Sequence, residues 1–218
     1  LKALIPVRAG SERVKNKNIK PFAGSSLLEI KINQLLRIDK VDEVCVNSEC
    51  DEMLEIASKL GATPVKRDPF FATSSVPMND VYEDFAKNID ADHVLYTNVT
   101  SPLVSDKTYI DCIDKYFSLT DHDSLNTVTL LKENLWLDGK PINYDPSSHP
   151  RSQDLPDIVY LNFAISIIPR KLMLRHKNII GQKFFPYILG KIESVDIDDI
   201  DDFDLAEVLF LRDKTREV

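Results

Sequence analysis

The chain has 218 residues, 43% of them hydrophobic, which is enough for one substantial core. Its formal charge of −8 argues against a nucleic-acid-binding protein, because that class needs a basic surface to neutralise phosphates. No apolar run approaches the roughly 20 residues that span a bilayer, so no membrane contact is predicted. The odd cysteine count and the short apolar start, followed at once by Arg8, are not typical of a secreted protein. They predict reduced thiols and a cytoplasmic location.

Short β-rich runs alternate with amphipathic segments in the first half of the chain. This pattern predicts an α/β fold, a Rossmann-like and mostly parallel sheet with flanking helices. In chain order, the predicted elements are strand 2–8, helix 26–39, strand 43–48, helix 51–60, strand 63–67, helix 78–89, strand 93–98 and helix 105–119.

The pattern changes in the second half. The elements predicted there are strands 124–131, 157–169 and 192–197, and helix 203–212. Asp202 is the expected N-cap of that last helix. Residues 134–156 are rich in Pro, Asp, Asn and Ser and show no helical period. A segment this long without regular structure is usually functional or an interface, so we predict one domain over residues 1–218 with 134–156 as a small excursion from the sheet.

A basic segment follows the first predicted strand, where open α/β sheets bind ligands. Gly10 and Ser11 allow the backbone to approach a phosphate. Nearby cations would neutralise that phosphate, namely Arg8, Arg13, Lys15, Lys17 and Lys20. The segment is neither a Walker loop nor a dinucleotide fingerprint, because both glycine patterns are missing. Spacing alone favours a phosphate site and leaves a solvated basic loop as the alternative.

An acidic tract near the end of the chain, residues 196–204, is the second candidate site. Asp196 and Asp198 alternate along a predicted strand, so their side chains should point the same way. Two converging carboxylates suit Mg²⁺ that also binds triphosphate oxygens. The alternative is a solvated turn with a helix cap, and we accept it for Asp199, Asp201 and Asp204. An EF-hand calcium loop is excluded, because its Gly and terminal Glu are missing.

Several segments, in chain order, resemble one known family. They are 5–18 (an apolar strand, Pro-x-Arg-x-x-Ser, a basic spacer and Lys-Asn), 66–69, 72–75, 98–103, 151–156, 161–165, 194–198 and 202–207. Together they resemble the acylneuraminate cytidylyltransferases, which are related to the KDO cytidylyltransferases. Each match alone is weak, but all of them in order are hard to obtain by chance.

The resemblance implies an enzyme that transfers CMP from CTP to an acidic 2-keto-3-deoxy sugar, with Mg²⁺ and with release of pyrophosphate. The nucleophile would be the anomeric 2-hydroxyl of the sugar. The implied nucleotide-binding residues are Arg8, Ala9, Gly10, Ser11, Lys17, Asn18, Arg67, Thr73 and Ser75. The implied acceptor-binding residues are Asn98, Thr100, Ser101, Arg151, Gln153 and Asn162.

The resemblance also implies which residues act in the chemistry. Arg8, Lys17 and Asp198 would be catalytic, and Asp196 and Asp198 would bind the metal. It further implies a homodimer in which segment 134–156 crosses to the partner subunit. Arg151 or Gln153 of that segment would then reach the partner's acceptor pocket.

The chain departs from the family pattern mainly on the acceptor side. Asn98 stands where the family has Gln, Ser152 where it has a second Arg, and Phe163 where it has Gly, while residues 47–49 (Asn-Ser-Glu) replace Ser-Thr-Asp. These changes predict an acid other than N-acetylneuraminate. Two alternatives stay open: a cytidylyltransferase for a non-sugar acid such as a phosphonate, and a nucleotide-binding regulator without turnover. The near-complete basic loop and the retained aspartate pair argue against the regulator.

Overall fold

The computed structural model describes residues 1–10 and 13–214, and its main sheet is built from seven of the strands. The strands are β1 (Lys2–Pro6), β2 (Pro21–Phe22), β3 (Ser25–Ser26), β4 (Glu43–Ser48), β5 (Thr63–Lys66), β6 (His93–Tyr96), β7 (Ser124–Leu131), β8 (Trp136–Leu137), β9 (Lys140–Pro141), β10 (Ile158–Pro169) and β11 (Phe184–Leu189). The main sheet has the order β11-β7-β10-β6-β1-β4-β5. β2–β3 and β8–β9 form separate small hairpins.

The directions of the strands confirm a Rossmann-like, mostly parallel sheet. β1 is parallel to β4 and β6, β4 to β5, and β11 to β7, whereas β10 is antiparallel to both of its neighbours. The strand order reverses at β1, which lies between β6 and β4. In open α/β sheets such a reversal opens a crevice at the carboxyl ends of the strands.

The helices cover both faces of this sheet. They are α1 (Leu27–Leu36), α2 (Asp51–Leu60), α3 (Met78–Lys87), α4 (Asp106–Ser118), α5 (Arg170–His176) and α6 (Ile200–Lys214). Local sequence sets several of their ends. The Ser26 hydroxyl accepts from the Glu29 amide at the start of α1, and Gly61, at φ 91°, ends α2 in the left-handed conformation. No helix of the described ranges is long and apolar enough to cross a membrane.

Alternation along the strands divides the core into two layers. In β1, Ala3 and Ile5 pack into the cluster that contains α1, α2, α4 and α6, whereas Leu4 packs into the cluster of α3 and α5. Successive side chains on a strand point to opposite faces of the sheet, which explains this division. The result is a helix–sheet–helix sandwich, as the alternation of β-rich and amphipathic segments predicted.

Most predicted elements are confirmed, with ends shifted by up to three residues, but the strand predicted at 192–197 is wrong. Residues 192–194 form a turn, in which the Ser194 amide donates to Gly190 O, and residues 195–197 are irregular, with the Ile197 amide donating to Thr100 O. The strand beside β7 is instead β11, which sequence reasoning missed, as it missed α5. β11 contains Pro186, and it lies at the sheet edge, where a missing N–H is tolerated.

The predicted N-cap of the last helix is also wrong. α6 begins at Ile200, and the Asp199 carboxylate accepts from the amides of Asp201 and Asp202, at 3.0 Å each. The Asp202 carboxylate in turn accepts from the Asp199 amide at 3.1 Å, which makes a reciprocal capping box. Asp202 therefore lies in the first turn, and Asp199 is the cap.

Candidate active site

A cleft of about 550 Å³ opens at the carboxyl ends of β1, β5 and β6. Its wall contains residues predicted for the nucleotide, the acceptor and the metal, namely Arg8, Lys17, Asn18, Arg67, Thr73, Asn98, Thr100 and Asp198. These positions span most of the chain, and the parallel strands bring them to one edge of the sheet. The cleft is the candidate active site.

The loop after β1 forms one side of the cleft. Arg8 Nη1 donates to Ala72 O at 2.9 Å, and the buried Asn18 holds the loop by donating from Nδ2 to Arg8 O at 3.0 Å. Gly10 has a φ of 75°, which favours glycine. The Ala9 amide donates to Glu49 Oε1 at 2.7 Å. Ala9 and Gly10 belong to this loop but not to the cleft wall, and Ser11 lies outside the described residues.

Lys17 connects the basic loop to the acidic segment. Its Nζ donates to Ile197 O at 2.5 Å. Burial lowers the pKa of Lys17, while the negative charges of Asp196 and Asp198 act in the opposite direction. The ammonium group therefore lies half-buried between the loop after β1 and the segment before α6.

The two predicted metal ligands, Asp196 and Asp198, lie in an irregular segment, so the argument from strand alternation is wrong for them. Desolvation raises the pKa of Asp196, a hydrogen bond from Thr100 lowers it, and the nearby charge of Asp198 raises it again. Asp198 accepts from Arg13 Nη2 at 2.7 Å in an exposed ion pair. Only Asp198 of the two lines the cleft.

These two carboxylates do not make a complete metal site from protein alone. Among the residues described here, no group of three or more His, Cys, Asp or Glu side chains is placed to hold a metal ion. A divalent cation at Asp196 and Asp198 would need further oxygen ligands from a bound ligand.

Arg67 forms the inner end of the cleft. It is only 4% exposed, and it donates from Nε to Asn47 Oδ1 at 2.5 Å and from Nη2 to Asn47 O at 2.7 Å. The guanidinium carbon lies 4.8 Å from the centroid of the Phe85 ring. Burial lowers the pKa of Arg67, and the charge of Glu49 opposes that effect. The guanidinium is thus held rigidly at the base of the cleft.

The predicted polar turn lies opposite Arg67. Thr73 Oγ1 donates to Phe70 O at 2.9 Å and is 3.0 Å from Ser75 Oγ. Thr73 and Ser74 line the cleft, whereas Ser75 does not. The turn has no charged side chain, and it offers hydroxyl groups to a ligand.

The acceptor residues predicted after β6 divide into two groups. Asn98 and Thr100 line the cleft, and Asn98 Nδ2 donates to Phe163 O over a long 3.4 Å. Thr100 O accepts from the Ile197 amide at 2.9 Å. The Ser101 side chain is buried and is not part of the wall. Phe163 has a φ of 55°, in the left-handed region that favours glycine.

The single chain does not bring the other three acceptor candidates to the cleft. Arg151 and Gln153 lie at an exposed 3₁₀ turn, where Arg151 Nε donates to Asp154 Oδ2 at 2.7 Å. Asn162 is engaged in the irregularity of β10, because its Oδ1 accepts from Thr127 Oγ1 at 2.6 Å and from the Ala164 amide at 3.2 Å. Their roles toward an acceptor stay predictions.

Sequence reasoning missed the apolar part of the wall and one ion pair. The apolar wall residues are Val14, Phe71, Val76, Met78, Val81, Phe85, Tyr96 and Val99. Such residues look like ordinary core in the sequence, and only the fold shows which of them border the cleft. Arg13 and Asp198 were each predicted as site residues, but nothing in the sequence indicated that they pair across 185 residues.

Comparisons with known proteins identify the family of the chain. The family described as Cytidylyltransferase matches residues 2–211. The pseudaminic acid cytidylyltransferase of Campylobacter jejuni is 27% identical over 95% of this chain and 94% of its own length. The N-acylneuraminate cytidylyltransferase of Streptococcus agalactiae is 27% identical over 92% of this chain, which spans about half (51%) of that protein.

Solved structures confirm the fold. The CMP:2-keto-3-deoxy-manno-octonic acid synthetase in complex with CTP has a TM-score of 0.72 over 97% of this chain and 98% of its own, at 11% identity. The 4-diphosphocytidyl-2C-methyl-D-erythritol synthase of Anaerococcus prevotii has a TM-score of 0.71 over 96% and 95%, at 15% identity. The predicted activity of a CTP-dependent nucleotidyltransferase is confirmed by the family match, and this chain belongs to the cytidylyltransferase family.

Proposed function

We propose that the chain transfers CMP from CTP to a nonulosonic acid, an acidic 2-keto-3-deoxy sugar. One observation carries the proposal. Lys17 Nζ contacts Ile197 O, so the cationic loop, the acidic segment and the loop after β6 meet in one cleft. The names of the relatives support the acceptor class, because one acts on pseudaminic acid and another on N-acylneuraminate.

The reaction forms one bond and breaks one at the α-phosphorus of CTP. The acceptor hydroxyl oxygen attacks this phosphorus, the bond to the bridging oxygen breaks, and pyrophosphate leaves with the developing negative charge. Arg8, Arg13 and Lys17 lie on the side of the cleft where that charge would form. Cations fixed there before the reaction stabilise the transition state more than the ground state.

The nucleoside and the acceptor take the remaining walls of the cleft. Cytosine and ribose would face Arg67 and the Thr73 turn, where a buried guanidinium and the hydroxyls of the turn can provide directed hydrogen bonds. The acid would lie against Asn98 and Thr100 on the opposite wall. The proton of its hydroxyl needs an acceptor group, and the carboxylates of the acidic segment lie on the same side.

Asp196 and Asp198 would hold Mg²⁺ together with triphosphate oxygens. Their donor chemistry fits, since both are carboxylates and Asp198 lines the cleft beside Lys17. The charge of Asp198 acts to raise the pKa of Asp196, and a cation between the two carboxylates would relieve this repulsion. When bound, the ion would neutralise charge on the phosphates and orient them for displacement.

The proposal includes a homodimer. Trp136 and Leu137, on the β8–β9 hairpin, are 56% and 62% exposed, and Ile142, Tyr160 and Phe163 also have exposed side chains. The exposed apolar side chains within the excursion, Trp136, Leu137 and Ile142, support an interaction surface there. Arg151 and Gln153 belong to the same excursion, so a second copy would bring them toward its partner's cleft. The need for CTP and the free thiols of all three cysteines support a cytoplasmic location.

The test is pyrophosphate release from CTP with a panel of acids, at saturating Mg²⁺ and with the metal chelated. The panel is pseudaminic acid, N-acetylneuraminic acid, the eight-carbon 2-keto-3-deoxy acid and a phosphonate. We expect release with a nonulosonic acid and none without Mg²⁺. Turnover with the phosphonate alone would favour a non-sugar acceptor. CTP binding without release from any acid would favour a non-catalytic regulator.

A further inference from the structure

A charged residue is completely buried behind the cleft. Lys31, on α1, is 0% exposed, and among the described residues its ammonium group bonds no carboxylate. Its Nζ donates to Gln34 Oε1 at 3.0 Å, to Ser101 O at 3.0 Å and to Tyr109 Oη at 2.7 Å. An ammonium group has three N–H donors, and these three oxygens match them.

These contacts hold the segment that follows β6, residues 97–104, which we call the acceptor segment. Ser101 lies in its middle and contacts Lys31 directly. At its start, Thr97 Oγ1 is 2.7 Å from Tyr109 Oη and donates to Ala164 O at 2.7 Å. At its end, Val104 O accepts from Gln34 Nε2 at 2.7 Å. Lys31 and its two neighbours thus attach the segment at three points.

The opposite side of the acceptor segment forms the cleft. Asn98 and Thr100 line it, and Thr100 O accepts from the Ile197 amide. Ile197 O in turn accepts from Lys17 Nζ. The network around Lys31 therefore supports the wall from behind. A link from the acceptor segment to the nucleotide side runs from Thr100 through Ile197 to Lys17.

A buried ammonium group stabilises a core poorly, because desolvation opposes the charged form. An apolar residue of similar volume would pack there without this desolvation penalty. Its directed hydrogen bonds do what an apolar side chain cannot, since they fix the position of an irregular backbone. We propose that Lys31 is a positioning residue for acceptor binding, acting through the acceptor segment. This inference depends on the proposed function for its kinetic test only.

The experiment compares Lys31→Met, which keeps the length of the side chain but removes its donors, with Tyr109→Phe, which keeps the ring and removes one bridge. Met173→Ala is the matched control, because Met173 is also 0% exposed but packs in the cluster of α3 and α5, away from the acceptor segment. The measurements are hydrogen exchange of peptides covering residues 97–105 and the KM values for CTP and for the preferred acid.

We expect Lys31→Met to raise the KM for the acid about tenfold or more, because buried acceptors are left unpaired and the segment moves. The KM for CTP should stay within about twofold of wild type, and exchange should accelerate in peptides 97–105. Tyr109→Phe should show the same pattern more weakly. Met173→Ala should destabilise the protein without changing the ratio of the two KM values.

Two results would overturn the inference. One is an unchanged exchange rate at 97–105 in both variants. The other is a loss that affects both substrates equally, as a general destabilisation would cause. If wild-type protein transfers CMP to no acid of the panel, the proposed function fails, and hydrogen exchange alone decides whether Lys31 positions the segment.

Discussion

Lys17 Nζ donates to Ile197 O across 180 residues of sequence, at a distance of 2.5 Å. This contact joins the basic loop after β1 to the segment that carries Asp196 and Asp198. Burial lowers the pKa of Lys17, the two aspartates oppose that effect, and a bound triphosphate would oppose it further. The electrostatics of the cleft therefore depend on two distant parts of the chain at once.

Lys17→Ala should lower kcat/KM for CTP by roughly 10²–10³-fold, the range for losing one positioned electrostatic group. The fold should survive, because Lys17 is only partly buried. Lys15→Ala is the matched control, since Lys15 lies in the same loop but is exposed and outside the cleft wall. Steady-state kinetics compare the two. Equal rates in both variants would show that the loop acts only through its total charge.

Asp198→Asn, nearly isosteric but uncharged, should abolish Mg²⁺-dependent turnover. Its thermal stability should be equal to or slightly above that of wild type. Loss of the exposed ion pair with Arg13 costs at most about 1 kcal/mol, and relief of repulsion with Asp196 offsets it. Asp204→Asn is the control, because Asp204 is an exposed residue of α6 outside the cleft wall. Near-normal activity of Asp198→Asn at ordinary Mg²⁺ concentrations would show that the acidic segment is only a solvated turn.

Leu137→Lys should convert the proposed dimer to a monomer at micromolar concentration, because it places a charge among the exposed apolar side chains of the β8–β9 hairpin. Val208→Lys is the control, since Val208 is 64% exposed but lies on α6. Sedimentation velocity with parallel activity assays measures both effects. A fully active wild-type monomer would contradict the dimer and the transfer of Arg151 to a partner's cleft.

The buried Lys31 also predicts how stability depends on pH. Burial lowers the pKa of Lys31 from 10.5 to about 7, with the charge of Asp106 opposing the change. Tyr109, which faces it, stays neutral because burial raises the pKa of its hydroxyl. Between pH 7 and 10.5 the unfolded chain therefore binds one more proton than the folded chain at this site. The free energy of unfolding contributed by Lys31 rises with pH in this window and is flat below it.

The measurement is denaturant unfolding of wild type and Lys31→Met from pH 6 to 9.5. The free energy of unfolding of wild type minus that of Lys31→Met should increase above pH 7. The increase is at most about 1.4 kcal/mol per pH unit, the limit for one proton. Subtracting the variant removes the titration of all other groups. Parallel curves for the two proteins would mean that Lys31 has an ordinary pKa.

The sheet was predictable because its central strands are continuous apolar runs between amphipathic helices. β4, β7 and α2 even have the predicted ends. β11 was missed because Pro186 interrupts its pattern, and only its edge position makes that residue acceptable. Residues 192–197 alternate between apolar and polar as a strand would. Their amides do not pair with a strand, however, because Ser194 N donates to Gly190 O and Ile197 N to Thr100 O.

The site was predictable where a motif joins chemistry to a strand end, as at Arg8, Lys17 and Asn98. It was not predictable where a polar residue acts through a distant partner. Asn47 holds Arg67, and Lys31 holds Ser101 from a helix that looked like simple sheet cover. Such pairs arise from tertiary packing, and no spacing in the sequence indicates them.

The last prediction concerns the acid. Asn98 donates to the carbonyl of Phe163 over a long 3.4 Å, and Phe163 occupies a left-handed position with a partly exposed ring. A shorter amide on one side and an aromatic ring on the other should reshape the acceptor wall. We therefore expect N-acetylneuraminic acid to be a poor substrate, at least about tenfold below the preferred acid in kcat/KM.

Phe163→Gly tests this directly. Relief of the left-handed strain, about 1–2 kcal/mol, should offset the flexibility that glycine adds to the unfolded chain, so stability should change little. The discrimination against N-acetylneuraminate should fall several-fold. Ile192→Ala removes a comparably exposed apolar side chain from the turn after β11 and should leave the discrimination unchanged. The measurement is steady-state kinetics of wild type and variants on the acid panel. If N-acetylneuraminate is the best wild-type substrate, Asn98, Ser152 and Phe163 do not determine acceptor choice.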